Sequence, residues 1–145
     1  MTQILHDRFY LGALLAAPLF WFALLQITQP GSGAEFSSDF LKRFALITFC
    51  YPILEEAAFR GLLQGWLLRA RSLASGPISF FSWANIFTTI AFTGFHFLGH
   101  PWHWALAVII PSLLFGYFRE KTGSIMPGIL LHCFYNTGYF LIFTI

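Results

Sequence analysis

Three short polar clusters interrupt an otherwise apolar chain: Glu55-Glu56-x-x-x-Arg60, Phe92-x-x-x-His96 and His132-x-x-x-Asn136. Residues four apart share a helix face, so Glu56 and Arg60 can pair while Glu55 points about 100° away. A Glu–Arg staple between helices explains Glu56 and Arg60 but leaves Glu55 unexplained. A lone His on an apolar face is usually a satisfied core residue. A His–Asn pair can merely hydrogen-bond between helices, for ~0.6–2 kcal/mol. Together, however, a carboxylate, two imidazoles and a carboxamide make a hydrolytic site. The carboxylate can deprotonate a trapped water, and one imidazole can position it and shuttle its proton. The second imidazole and the carboxamide N–H can hold a tetrahedral oxyanion, worth ~3–4 kcal/mol per donor. No Ser–His or Cys–His nucleophile is needed. A metal stays open on residue type, because Glu55, His96 and His132 could also ligate zinc. The His-Glu-x-x-His signature of zinc proteases is absent from the sequence.

The elements that carry these groups belong in a bilayer. Of 145 residues, 57% are hydrophobic and 10% charged, with mean hydropathy +0.69. A soluble domain carries about a quarter charged residues, so lipid must serve as part of the solvent. An ionisable group at the centre of a membrane helix costs about 2.5–3.5 kcal/mol, so Glu55, Glu56 and Arg60 cost roughly 7–10 kcal/mol before pairing. Such groups persist where they pair, coordinate something or do chemistry. The formal charge of +2 is too small and scattered to suggest a nucleic-acid partner. Cys50 and Cys133 both fall in apolar segments and read as buried, reduced thiols.

Helical spans need about 20 apolar residues, which predicts an all-α, polytopic integral membrane protein with about five transmembrane helices. The first runs from Phe9 to Ile27, with a kink at Pro18; its length makes it a retained signal-anchor rather than a cleaved signal peptide. A loop follows from Thr28 to Asp39. The glutamate-bearing span covers Phe44 to Leu68, extended at its start by Phe40 and Leu41. The third lies within Ile78 to Leu98. If it starts at Ile78, His96 lies about 27 Å along it, too near one surface to meet groups at mid-depth. A start near Trp83, after an interfacial stretch following Gly76-Pro77, reduces that mismatch. A fourth span covers Trp102 to Tyr117, Arg119 to Gly123 form the last loop, and a fifth runs from Ser124 to the C-terminus. His100 and His103 read as interfacial. Arg8, Arg69, Arg71, Arg119 and Lys121 on one side, against Lys42 and Arg43 on the other, predict a cytoplasmic N-terminus.

The order and spacing of the three clusters resemble the CPBP intramembrane protease family. That family comprises CAAX prenyl-protein endopeptidases and bacteriocin-processing proteins, once grouped as Abi proteins. The resemblance divides the chain into an N-terminal helix and loop (1–43) and a catalytic helical core (44–145). It implies that Glu55 activates the water with help from His96, in a glutamic, metal-free mechanism with zinc as the alternative. It further implies that His132 and Asn136 form the oxyanion hole, and that Glu56, Arg60 and Phe92 support the site. The implied substrate is a membrane-anchored protein or peptide cut near its terminus, and the implied location a bacterial inner membrane. The small size resembles members that partner C-terminal sorting-signal systems such as the JDVT-CTERM type.

Two other classes compete. A non-enzymatic membrane chaperone or immunity protein could bind a peptide in the same cavity, but it has no need of the full set Glu55, His96, His132 and Asn136. A proton or ion transporter also needs intramembrane Glu and His. Five spans without an internal repeat support alternating access poorly.

Overall fold

A computed structural model describes residues 4–26, 29, 37–78 and 80–143. Among them the protein is all-helical, with one isolated bridge between Ile78 and Phe81 and no strand. Helix α1 covers Arg8–Leu25 and runs through Pro18. Its first turn is held by Asp7, whose Oδ1 accepts from the Phe9 and Tyr10 N–H groups at 2.9 and 3.2 Å. Most of the expected loop from Thr28 to Asp39 lies outside the described residues, as does Ile27. Ser37 caps α2 (Ser38–Ala45) by accepting from the Phe40 N–H at 3.1 Å. The helical path then continues without a break. A π-helical turn (Leu46–Cys50) leads into α3 (Tyr51–Glu56), a second π-helical segment (Ala57–Gln64) and the short α4 (Gly65–Leu67).

Helix α5 spans Trp83–His96 and starts on Ser82, whose Oγ accepts from the Asn85 N–H at 3.0 Å. The later of the two starts considered for the third span is therefore the observed one. The expected fourth span divides into α6 (Trp102–Ala107) and α7 (Ile109–Thr122). Pro111 explains the break at Val108: it lacks an N–H, and its ring crowds the carbonyl four residues back, that of Ala107. The expected loop at Arg119–Gly123 is instead the last turn of α7, which ends where Gly123 adopts φ 70° and returns its N–H to the Arg119 carbonyl at 3.0 Å. Helix α8 covers Met126–Phe143.

None of the helices among the described residues is long and apolar enough to cross a membrane. Helices α5 and α7 have 14 residues each, about 21 Å at 1.5 Å per residue. The glutamate-bearing span is divided among α- and π-type turns, and α8 carries His132, Asn136 and Thr137 along its length. Nor are the thiols buried: Cys50 is exposed and Cys133 intermediate, and neither forms a disulfide among the described residues.

The chain divides into two compact units, residues 1–54 with 129–145, and Glu55–Gly128. In the first, α8 packs on α1 and on the α2 region. Tyr135 donates its hydroxyl to the Ala13 carbonyl at 2.7 Å, Trp21 meets Phe134 with ring centroids 5.3 Å apart, and Phe140 lies against Phe40 and Phe44. In the second, α5, α7 and the segment Ala57–Gln64 pack together through polar stripes. Glu56, Arg60, Gln64, Asn85, Thr88 and Ser112 are all buried, whereas Leu62, Ile90 and Ile110 are 75%, 61% and 71% exposed. Phe92, Phe115 and Phe118 are buried alongside these polar groups.

Gly116 sets how closely α5 and α7 approach. A Cβ at that position would collide with Asn85 Oδ1, and Asn85 is itself held by its Nδ2 donating to the Leu113 carbonyl at 3.0 Å. Small residues permit such close helix contacts. Gly116→Ala is expected to cost about 1–3 kcal/mol of stability by overpacking, seen as a lower melting temperature of the purified protein. Gly94→Ala, with open space around its added methyl, should change it little.

Candidate active site

The second unit assembles the glutamate and histidine clusters through helix register. Arg60 and Gln64 meet α7 at Ser112 and at Gly116 with Glu120, in ascending order, so that segment and α7 run parallel. Helix α5 meets α7 in descending order, Thr89 at Ser112 and Ser82 at Glu120, so it runs antiparallel to both. Phe59 contacts Phe92 edge-on at 5.1 Å and Phe95 at 6.0 Å. One turn before Phe59 stands Glu55; one turn beyond Phe92 stands His96. In antiparallel elements these two directions coincide, which puts Glu55 and His96 toward the same end of the unit. Both are partly exposed. With α5 starting at Trp83, His96 lies about 20 Å along it.

The His96 ring is oriented by its surroundings. Its Nδ1 is 2.9 Å from the Phe92 carbonyl oxygen, which can only accept, so Nδ1 carries a proton. Phe92 lies 4.4 Å away, centroid to centroid, and the exposed His100 stacks at 5.7 Å and 20°. His103 is exposed at the head of α6, next to Trp102.

Glu56 and Arg60 form the ion pair that their spacing predicts, at 3.0 Å and with 0% and 1% exposure. The guanidinium also donates to the Ser112 hydroxyl at 2.7 Å and carbonyl at 3.1 Å. Its carbon lies 4.4 Å from the Phe92 ring centroid and 5.3 Å from that of Phe115, so Phe92 touches Arg60 on one side and His96 on the other. Glu56 Oε2 lies against the first turn of α8, where a Cβ at Gly128 would come within 2.8 Å of it. The positive end of that helix faces the carboxylate.

In the first unit, His132 is buried at 6% exposure and Asn136 is partly exposed, one turn further along α8. Asn136 Nδ2 donates to the Ile47 carbonyl at 3.0 Å.

The model of one family, the Rce1-like type II CAAX prenyl endopeptidases, matches residues 37–138. The chain belongs to this family. The matched Rce1-like region contains all three clusters and leaves α1 outside. Among curated proteins and among solved structures, nothing matches the chain. Rce1-like membership places it among protease-class hydrolases. Among the described residues, no group of three or more His, Cys, Asp or Glu side chains is gathered as a metal centre requires.

The Rce1-like region also holds polar residues that the sequence reading did not single out. Ser112 Oγ donates to Thr89 Oγ1 at 3.0 Å. Glu120 Oε1 accepts from Gln64 Nε2 at 2.7 Å and from Ser82 Oγ at 2.6 Å. Arg119 Nε donates to the Arg60 carbonyl at 3.3 Å. These contacts fix the register of α5 and of Ala57–Gln64 against α7. Their signal was present as four-residue stripes, 60/64 on one element and 112/116/120 on another.

Proposed function

We propose that this protein is an intramembrane endopeptidase that hydrolyses a peptide bond near the terminus of a membrane-anchored protein or peptide, using glutamate-activated water. The observation that carries the reading is the family match over 37–138, which encloses every residue the chemistry needs. Glu55 takes the proton of the attacking water, and His96 positions that water, receives the proton from Glu55 and passes it to the leaving amine. His132 and Asn136 stabilise the oxyanion. Glu56, Arg60 and Phe92 hold the water-activating groups in place, and residues 44–145 form the catalytic core behind an accessory N-terminal segment.

The exposed apolar side chains of α1 and of the second unit support immersion in lipid. Leu15, Leu19 and Phe22 are 66%, 70% and 65% exposed, and such a surface is costly in water at about 25 cal/mol per Å². The location we assign is a bacterial inner membrane with the N-terminus cytoplasmic, and a C-terminal sorting signal is one substrate of the right kind.

The test is mass spectrometry of CAAX-type peptides, with and without an S-farnesyl group, incubated with purified protein in water enriched in ¹⁸O. The expected result is one new peptide terminus carrying a single ¹⁸O per hydrolysis. A peptide that binds and stays intact would instead make the protein a membrane chaperone. Proton uptake into proteoliposomes without any cleavage would make it a transporter.

A further inference from the structure

The turn before Glu55 contains a backbone defect that Asn136 repairs. Pro52 has no N–H, and its ring crowds the carbonyl four residues earlier, so an α-helix cannot pass through it with a complete ladder. The chain responds with the π-helical turn Leu46–Cys50, in which the Tyr51 N–H reaches back five residues to the Leu46 carbonyl. This costs the next carbonyl both of its helical donors. Ile47 would take the Tyr51 N–H in an α-helix, but that group is committed to Leu46. In a π-helix it would take the N–H of residue 52, which is proline. A carbonyl left without a donor away from water is expensive, and here the donor comes from another helix: Asn136 Nδ2, at 3.0 Å.

The contact also settles which way the carboxamide faces. The Ile47 oxygen can only accept, so the amide nitrogen must point to it. One N–H is thereby used, and the direction of the second is fixed by the planarity of the group. We infer that Pro52 is a positioning residue: by withholding a backbone donor, it keeps the Ile47 carbonyl available to orient the Asn136 amide. This rests on the assignment of Asn136 to the oxyanion. The structural half, a coupling between positions 52 and 136, stands on the hydrogen bonding alone.

The two halves are tested together on the full-length protein. Pro52→Ala supplies the missing N–H, which competes for the Ile47 carbonyl and releases Asn136. With the CAAX-type peptide as probe, kcat is expected to fall about tenfold by misorientation, with KM unchanged and the melting temperature equal to or above wild type. A proline that serves packing alone would not separate kcat from stability in this way. Asn136→Leu is expected to lower the melting temperature by roughly 3–6 °C when residue 52 is proline and by much less when it is alanine. An undiminished kcat in Pro52→Ala overturns the inference, and so does an equal loss of melting temperature from Asn136→Leu in both backgrounds. Failure of the protease reading would show differently, as absence of cleavage by the wild type, and would leave the melting-temperature comparison intact.

Discussion

Glu55→Gln is expected to lower the rate of peptide cleavage by about 10³-fold or more, while the protein remains folded with an unchanged melting temperature. The amide matches the carboxylate in size and still offers an acceptor oxygen, so packing is conserved and basicity alone is lost. Removing a general base typically costs 10²–10⁴-fold. The upper half of that range fits a site where the same group must also hold the water. Glu55 is partly exposed and lies outside the buried Glu56–Arg60 ion pair. Cleavage followed by mass spectrometry, alongside thermal unfolding of the same preparation, separates the chemical effect from a structural one. Turnover at the wild-type rate would end the glutamate-activated reading. His96→Ala should be milder, because a water can replace part of its proton transfer while Glu55 still supplies the base.

The Glu56–Arg60 pair was legible in the sequence, because a four-residue spacing puts the two on one helix face. The helical class was legible from the long apolar stretches, each near the 20 or so residues that a helical span needs. Three features were not legible, each for a physical cause. Glu120 sits among Arg119, Lys121 and Gly123, a composition that reads as a solvated loop. Donors from Gln64 and Ser82 keep it in the helix, and those partners are 56 and 38 residues away. The split of the fourth span at Val108 depends on Pro111, whose effect falls one turn earlier than its own position. The π-helical turn before Tyr51 follows from Pro52, but its tolerance depends on a donor from α8. Local patterns announce the defect in such a helix; only packing supplies its repair.

Arg60→Ala should cost about 3–5 kcal/mol, the range for breaking one side of a buried ion pair. That is a large fraction of a typical folding free energy of 5–15 kcal/mol. The substitution leaves the Glu56 carboxylate in a site with no solvent access and removes the donors to Ser112 Oγ and its carbonyl. It also takes a cation off the faces of Phe92 and Phe115. Folded yield and melting temperature should fall together, and activity should vanish with them, in contrast to Glu55→Gln. Arg60→Lys is expected to recover only part of the loss. A single ammonium keeps the charge, but it lacks the planar fork that reaches Glu56 through Nη1 and Ser112 through Nη2. The informative variant is the double replacement Glu56→Leu with Arg60→Met. Removing both charges eliminates the desolvation cost along with the attraction, so the pair should fold better than either single variant. If it folds well and cleaves poorly, the ion pair positions Glu55 and Phe92 for chemistry. A double variant as unstable as Arg60→Ala would instead locate the whole cost in the lost contacts to Ser112 and the aromatic rings.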